Sequence, residues 1–222
     1  MAAEKFIRLE SYSEYPVGEM KERAAAFRAD MQRRRSVRQF SSRQVPRGVI
    51  EDCILTAASA PSGANIQPWR FVVLEDTPVK QQIRQAAEKE EYEFYHSDKT
   101  KQWRDALSDL GTDHQKPFLT DAPYLIIVFA ESYGISPDGA KRKHYYVRES
   151  VGIAVGILIA AIHNAGLATL PYTPPQPGFL NDCLKRPKNE RPFLILPVGY
   201  PAKNAKVPDI PKKTLDEITS FI

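Results

Sequence analysis

Arg34-Arg35-Ser36-Val37-Arg38 packs three cations and a hydroxyl into five residues, where a helical pattern gives way to extended chain. Guanidinium groups present forked, permanently charged donors that match phosphate oxygens, and Ser36 adds a neutral donor without further crowding. The cluster therefore suits a bound phosphate. A solvated basic helix end accounts for the same residues, because the helix dipole favours cations at a C-terminus. What separates the two readings lies further along the chain.

The elements around this cluster follow from periodicity. Met20, Ala24, Phe27 and Met31 share one side of a helix that runs into the arginines, and Pro46 opens a second helix with Val49, Ile50, Cys53, Ile54 and Ala57 as its buried stripe. Pro61 to Pro68 is a loop by composition, and Trp69 to Leu74 reads as a strand rich in aromatic and β-branched residues. Thr77-Pro78 starts a helix that runs through Ile83 and Ala87 toward Tyr95, crowded with Glu88, Glu90, Glu91 and Glu93. From Tyr92 to Pro117 the pattern is polar and irregular. Tyr124 to Phe129 reads as a buried strand, and Tyr145 to Asn164 as a long helix whose apolar middle predicts burial on all sides. Gly166 suits the left-handed position that ends it. Leu167 to Tyr172 and Phe193 to Val198 supply two more strands, and 203–222 is a tail with a short helix. Strands separated by helices predict an α+β layered single domain over 1–222, and a helix this apolar in a chain this short predicts a homodimer whose core includes it.

Composition narrows the function classes. The chain has 222 residues, 42% of them hydrophobic, enough for one sizeable core. Its 31 basic residues are answered by 27 acidic ones, a net charge of +4 with no aromatic-interleaved basic stripe, so nucleic acid is not an expected partner. Cys53 and Cys183 lack zinc-ligand spacing and read as reduced core thiols, with no metal expected. The first thirty residues carry no apolar signal region. The longest apolar run, Val151 to Ile162, falls short of the roughly 20 residues a spanning helix needs. A cytoplasmic protein without membrane contact is expected.

Three motifs in this order, Arg34-Arg35-Ser36-Val37-Arg38, Ala60-Pro61-Ser62-Gly63-Ala64 before Gln67-Pro68-Trp69, and Pro197-Val198-Gly199-Tyr200-Pro201, resemble the flavin-dependent nitroreductase superfamily. Pro61-Ser62-Gly63-Ala64 followed by the acidic helix Glu88 to Tyr95 and Lys116 is similar to its iodotyrosine deiodinase branch. The resemblance runs from about Met31 to Ile218. It implies a central mixed sheet flanked by helices and an obligate homodimer with FMN at the interface. Arg34 and Ser36 would hold the FMN phosphate, with Arg35 and Val37 beside them, and Arg38 would face the N1/O2 edge, where a cation stabilises an anionic reduced flavin. Ser62 and Gly63 would come from the partner subunit. Lys212 stands where the family usually has an arginine on the phosphate, and neighbouring Lys213 offers the same charge without the fork. Thr173 matches the hydroxyl that hydrogen-bonds flavin N5 and favours one-electron steps. Pro171-Tyr172 before it departs from the small polar residues of the family pattern.

The resemblance also implies a substrate lid at about 88–117. Glu91 and Tyr95 stand four apart on one helical face, and Lys116 follows an irregular segment able to fold back over them. Together they offer an anion for an α-ammonium, a cation for an α-carboxylate and a hydroxyl. Ala64 would give its backbone N–H to a substrate phenolate, and His114 stands where the family pattern has a tryptophan. The implied activity is reductive dehalogenation of halotyrosines, with NAD(P)H or a separate reductase as electron donor. A general FMN nitroreductase or quinone reductase is the alternative.

Overall fold

The computed structural model describes residues 6–75 and 78–222. The chain forms two units, one ending at Arg34 and one spanning Arg35–Ile222. The first holds α1 (Val17–Arg33), braced by the Arg23–Glu19 ion pair at 2.8 Å and ended where Arg34 turns extended. The face expected to be apolar is exposed within it: Met20 is 54% and Phe27 60% accessible.

In chain order the second unit comprises α2 (Arg47–Ala58), β1 (Trp69–Leu74), α3 (Pro78–His96), α4 (Lys101–Leu107), α5 (Phe118–Asp121), β2 (Tyr124–Glu131), β3 (Tyr133–Ile135), β4 (Lys141–Lys143), α6 (Val147–Asn164), β5 (Ala168–Thr169), α7 (Phe179–Cys183), β6 (Glu190–Gly199) and α8 (Leu215–Ile218). The Thr77 half of the expected helix start lies outside the described residues. One sheet runs β1-β2-β6-β5 with antiparallel neighbours, and a parallel component enters as a bridge between Ser36 and Thr169.

The near-continuous apolar run in β2 follows from burial on both faces. Because side chains alternate along a strand, Ile126 and Val128 meet α2 and α6, while Leu125, Ile127 and Phe129 meet α3, α5 and α7. Three layers result. Gly199 is fixed by close approach: a Cβ there would lie 2.5 Å from Pro123 Cδ. The Pro197–Pro201 motif thus closes the sheet, with Ser41 N–H donating to the Tyr200 carbonyl.

Two expectations change. The α6 helix is buried on one face only, through Val151, Ala154, Val155, Leu158 and Ile162, because the chain itself supplies a single layer to cover it. Gly152, Ile153 and Gly156 face outward, and Ile153 is 46% exposed. By length and composition α6 is apolar enough to cross a membrane, but its buried face packs on α2 and the sheet of this unit. The strand expected over Leu167 to Tyr172 is paired only at Ala168 and Thr169. Pro171 has no N–H to donate, and the chain returns to the sheet at Tyr172, bridged to Ile195.

Candidate active site

The segment after the arginines is held from two sides. Val37 N–H donates to the Thr169 carbonyl at 3.2 Å, and Ala202 N–H donates to the Gln39 carbonyl at 2.9 Å. Arg35 is engaged by the Pro208 carbonyl, so its guanidinium anchors the tail, a role the sequence reading did not give it. Ser36 pairs with Thr169, whose own hydroxyl is buried and has no hydrogen-bond partner among the described residues. Val37 is core. Arg34 ends α1 in the other unit.

Arg38 points into a cleft of about 160 Å³ that also gathers Glu91, Tyr95, Lys116, Pro171, Tyr172 and Thr173. The sequence-predicted residues of two separate roles, flavin edge and lid, thereby meet at one place. Periodicity explains half of it, since Glu91 and Tyr95 project from one face of α3. A return of the chain explains the rest. The expected irregular stretch from Tyr92 to Pro117 is instead mostly helical: α3 continues to His96, and α4 is flanked by 3-10 turns at Asp98–Thr100 and Ser108–Leu110. Gly111 in the left-handed conformation then reverses it. Aromatic packing offsets its polar composition, with Trp103 edge-on to Phe94 at 5.0 Å. His114 packs edge-on to Tyr92 at 5.5 Å.

Lys116 is clamped. Its backbone N–H donates to Glu88 Oε1 at 2.8 Å, its ammonium to the Asp113 carbonyl, and Nζ lies 3.3 Å from Glu91 Oε2. Both side chains of this ion pair are buried. Burial lowers the Lys116 pKa, and Glu91 opposes that shift by attracting the charge. Tyr95 donates to the Thr112 carbonyl at 3.0 Å, and burial raises its pKa. Trp103, Leu107 and Leu110 form an apolar wall that sequence reasoning missed, because only the folded-back segment brings them to Glu91.

The loop carrying Ser62, Gly63 and Ala64 is not in this cleft. It packs on the start of α6, where Gly63 N–H donates to Ser150 Oγ at 3.3 Å and a Cβ at Gly63 would meet the Tyr145 carbonyl at 3.0 Å. Ala64, Asn65 and Gln67 all have positive φ, a strain that clusters where a backbone must present groups outward. Lys212 and Lys213 are exposed just before α8.

The donor set in this cleft suits the polar edge of a bound anionic group such as a flavin. Arg38 is half-buried, and among the described residues no carboxylate pairs with it. A desolvated cation beside an exposed hydroxyl residue, Thr173, is suited to a polar, electron-rich edge.

A layered fold with an antiparallel central sheet and a cationic cleft defines the class, and comparison with known proteins agrees. The Nitroreductase family profile matches residues 31–200, and the chain belongs to that family. Within it, iodotyrosine deiodinase from Haliscomenobacter hydrossis is 54% identical over 88% of each chain. The Nematostella vectensis enzyme of that name is 47% identical over 90% of this chain and 76% of its own. Among solved structures, an oxidized iodotyrosine deiodinase bound to FMN and 3-iodo-L-tyrosine superposes with a TM-score of 0.73 at 34% identity, over 88% of this chain and 100% of that one. A BluB-like flavoprotein, at 23% identity and a TM-score of 0.65, shares the fold.

Proposed function

We propose that this chain is an FMN-dependent reductive dehalogenase of halotyrosines, converting iodotyrosine to tyrosine and iodide. The observation that carries the reading is the buried Glu91–Lys116 pair, with Tyr95, in one cleft with Arg38 and Thr173. A free amino acid brings its own anion and cation. Its ammonium replaces Lys116 at Glu91, its carboxylate replaces Glu91 at Lys116, and the buried charge stays balanced throughout. Trp103, Leu107 and Leu110 place apolar surface beside the exchange.

FMN, when bound, supplies two electrons in single steps. Arg34, Ser36 and either Lys212 or Lys213 would hold its phosphate, Arg38 would face its N1/O2 edge, and Thr173 would offer its hydroxyl to N5. The overall change uses two electrons and one proton: the carbon–iodine bond breaks, iodide leaves with the electron pair, and the ring carbon takes the proton. The substrate is held as phenolate by the Ala64 amide, which comes with Ser62 and Gly63 from the partner of a homodimer. The outward face of α6 supports that dimer, since Gly152, Ile153 and Gly156 leave an apolar surface uncovered. The chain acts as a single domain, in the cytoplasm, with electrons from NAD(P)H directly or through a separate reductase.

The test is anaerobic reduction of the bound flavin followed by 3-iodotyrosine or a nitroaromatic. Prompt reoxidation with stoichiometric iodide release is expected. Reoxidation by the nitroaromatic alone would favour a general nitroreductase.

A further inference from the structure

Tyr172 stands in the cleft where the family pattern has a small polar residue, and its hydroxyl has no role in the reading above. Its backbone is pinned to Ile195 by hydrogen bonds of 2.9 and 2.8 Å, and its ring meets Phe118 edge-on at 5.4 Å. The residue is 7% exposed. Burial first, then the charge of Glu91 and a hydrogen bond to its carboxylate, push its ionisation far above the ordinary phenol range, so the group remains a neutral donor. Its hydroxyl thus already faces the Glu91 carboxylate, though no hydrogen bond of full geometry closes among the described residues. A buried hydroxyl left with a poorly formed bond is costly, so a better one with Glu91 is expected in another arrangement of the same groups.

The ion pair supplies that arrangement. In the present structure Lys116 occupies Glu91 Oε2, and the Lys116 ammonium lies 5.9 Å from the centre of the Tyr172 ring. When a zwitterion draws Lys116 to its carboxylate, Glu91 exchanges that donor for the substrate ammonium and must be held in place to meet it. We propose that Tyr172 is a positioning residue for amino-acid recognition: its hydroxyl donates to the Glu91 carboxylate as Lys116 turns to the substrate, holding Glu91 on the substrate ammonium. This rests on the function proposed above and adds a residue to it. Tyr172, pinned at its backbone and packed on Phe118, shares the cleft with Glu91. Pro171-Tyr172 then serves the substrate end of the cleft as well as the flavin end.

The experiment compares Tyr172→Phe with wild type, both loaded with FMN, in flavin-fluorescence titrations with 3-iodotyrosine and with 2-iodophenol, which has no amino-acid group. Tyr172→Phe keeps the ring and its contact with Phe118. Iodotyrosine Kd is expected to rise about ten- to hundredfold, the effect of one hydrogen bond to a charged group, with no matching change for 2-iodophenol. Steady-state KM for iodotyrosine should rise more than kcat falls. In a Glu91→Gln background the same substitution should change iodotyrosine binding little, because the two groups act through one contact. Equal losses for both ligands would make Tyr172 a packing residue and overturn the proposal, as would no loss for either. A wild type that does not prefer iodotyrosine to 2-iodophenol would remove the amino-acid reading of the site and Tyr172's role together. A wild type that does, beside an unaffected Tyr172→Phe, removes the role alone.

Discussion

Lys116→Met breaks the ion pair at its cationic end and isolates one consequence of the arrangement. The two side chains are only 3% and 9% exposed, so solvent does little to soften the loss. Removing one partner of a buried pair costs about 3–5 kcal/mol, because the other charge is left uncompensated. For a chain of this size that corresponds to a fall in Tm of about 6–20 °C. Glu91→Gln/Lys116→Met removes both charges and should recover most of the loss, since replacing a buried pair with neutral groups is often neutral or stabilising. Iodotyrosine binding should not recover, because both of its charged partners are gone. The assay is thermal unfolding at matched FMN saturation, beside fluorescence titration with iodotyrosine. The pH dependence has a definite sign. Burial lowers the Lys116 pKa in the folded state from its ordinary 10.5, so between that lowered value and 10.5 the unfolded chain binds more protons. Wild type should therefore gain stability relative to Lys116→Met as pH rises through this window, while below it the burial cost of the charge is fully present. A Lys116→Met protein as stable as wild type that still binds iodotyrosine would refute the ion-pair exchange, as would a double variant no more stable than the single one.

Two further outcomes are expected. Thr173→Ala should retain FMN by absorbance while iodide release falls and nitroaromatic reduction persists, and equal iodide release in both proteins would make Thr173 only the residue before Pro174. Gly156→Arg should leave the protomer folded, because among the described residues a Cβ there meets nothing within 4 Å beyond its chain neighbours and its own helix backbone, but it should shift sedimentation to monomer and lower FMN content; an unchanged dimer would put the interface elsewhere.

The strands and long helices were legible because periodicity is a local property. β1 matches its predicted span, and α6 its C-terminal residue. Burial was less legible, because it depends on what covers a face. The apolar run in α6 reads as burial on all sides, yet a single layer of the chain's own material packs on it, through Val151, Ala154, Val155, Leu158 and Ile162. The segment from Tyr92 to Pro117 was misread for a related reason. Its helical turns are held by contacts with α3, such as Trp103 on Phe94, and by the Tyr95 hydroxyl on the Thr112 carbonyl.

The site was legible as residue types and only partly as geometry. Glu91 and Tyr95 could be placed on one face from their spacing, whereas the 3.3 Å approach of Lys116 depends on a chain reversal at Gly111 that composition alone does not register. Arg35 shows the opposite failure. Its position in a cationic run argues for phosphate, but a carbonyl of the tail takes its guanidinium, so only the fold separates the anchoring arginine from Arg38 in the cleft. A buried ion pair is weak support for stability and a better device for recognition, because a zwitterion can exchange both partners at once without stranding either charge. On that argument a halophenol, which has neither charge, leaves the Glu91–Lys116 pair closed, and discrimination between the two ligands arises from the exchange rather than from the aromatic ring they share.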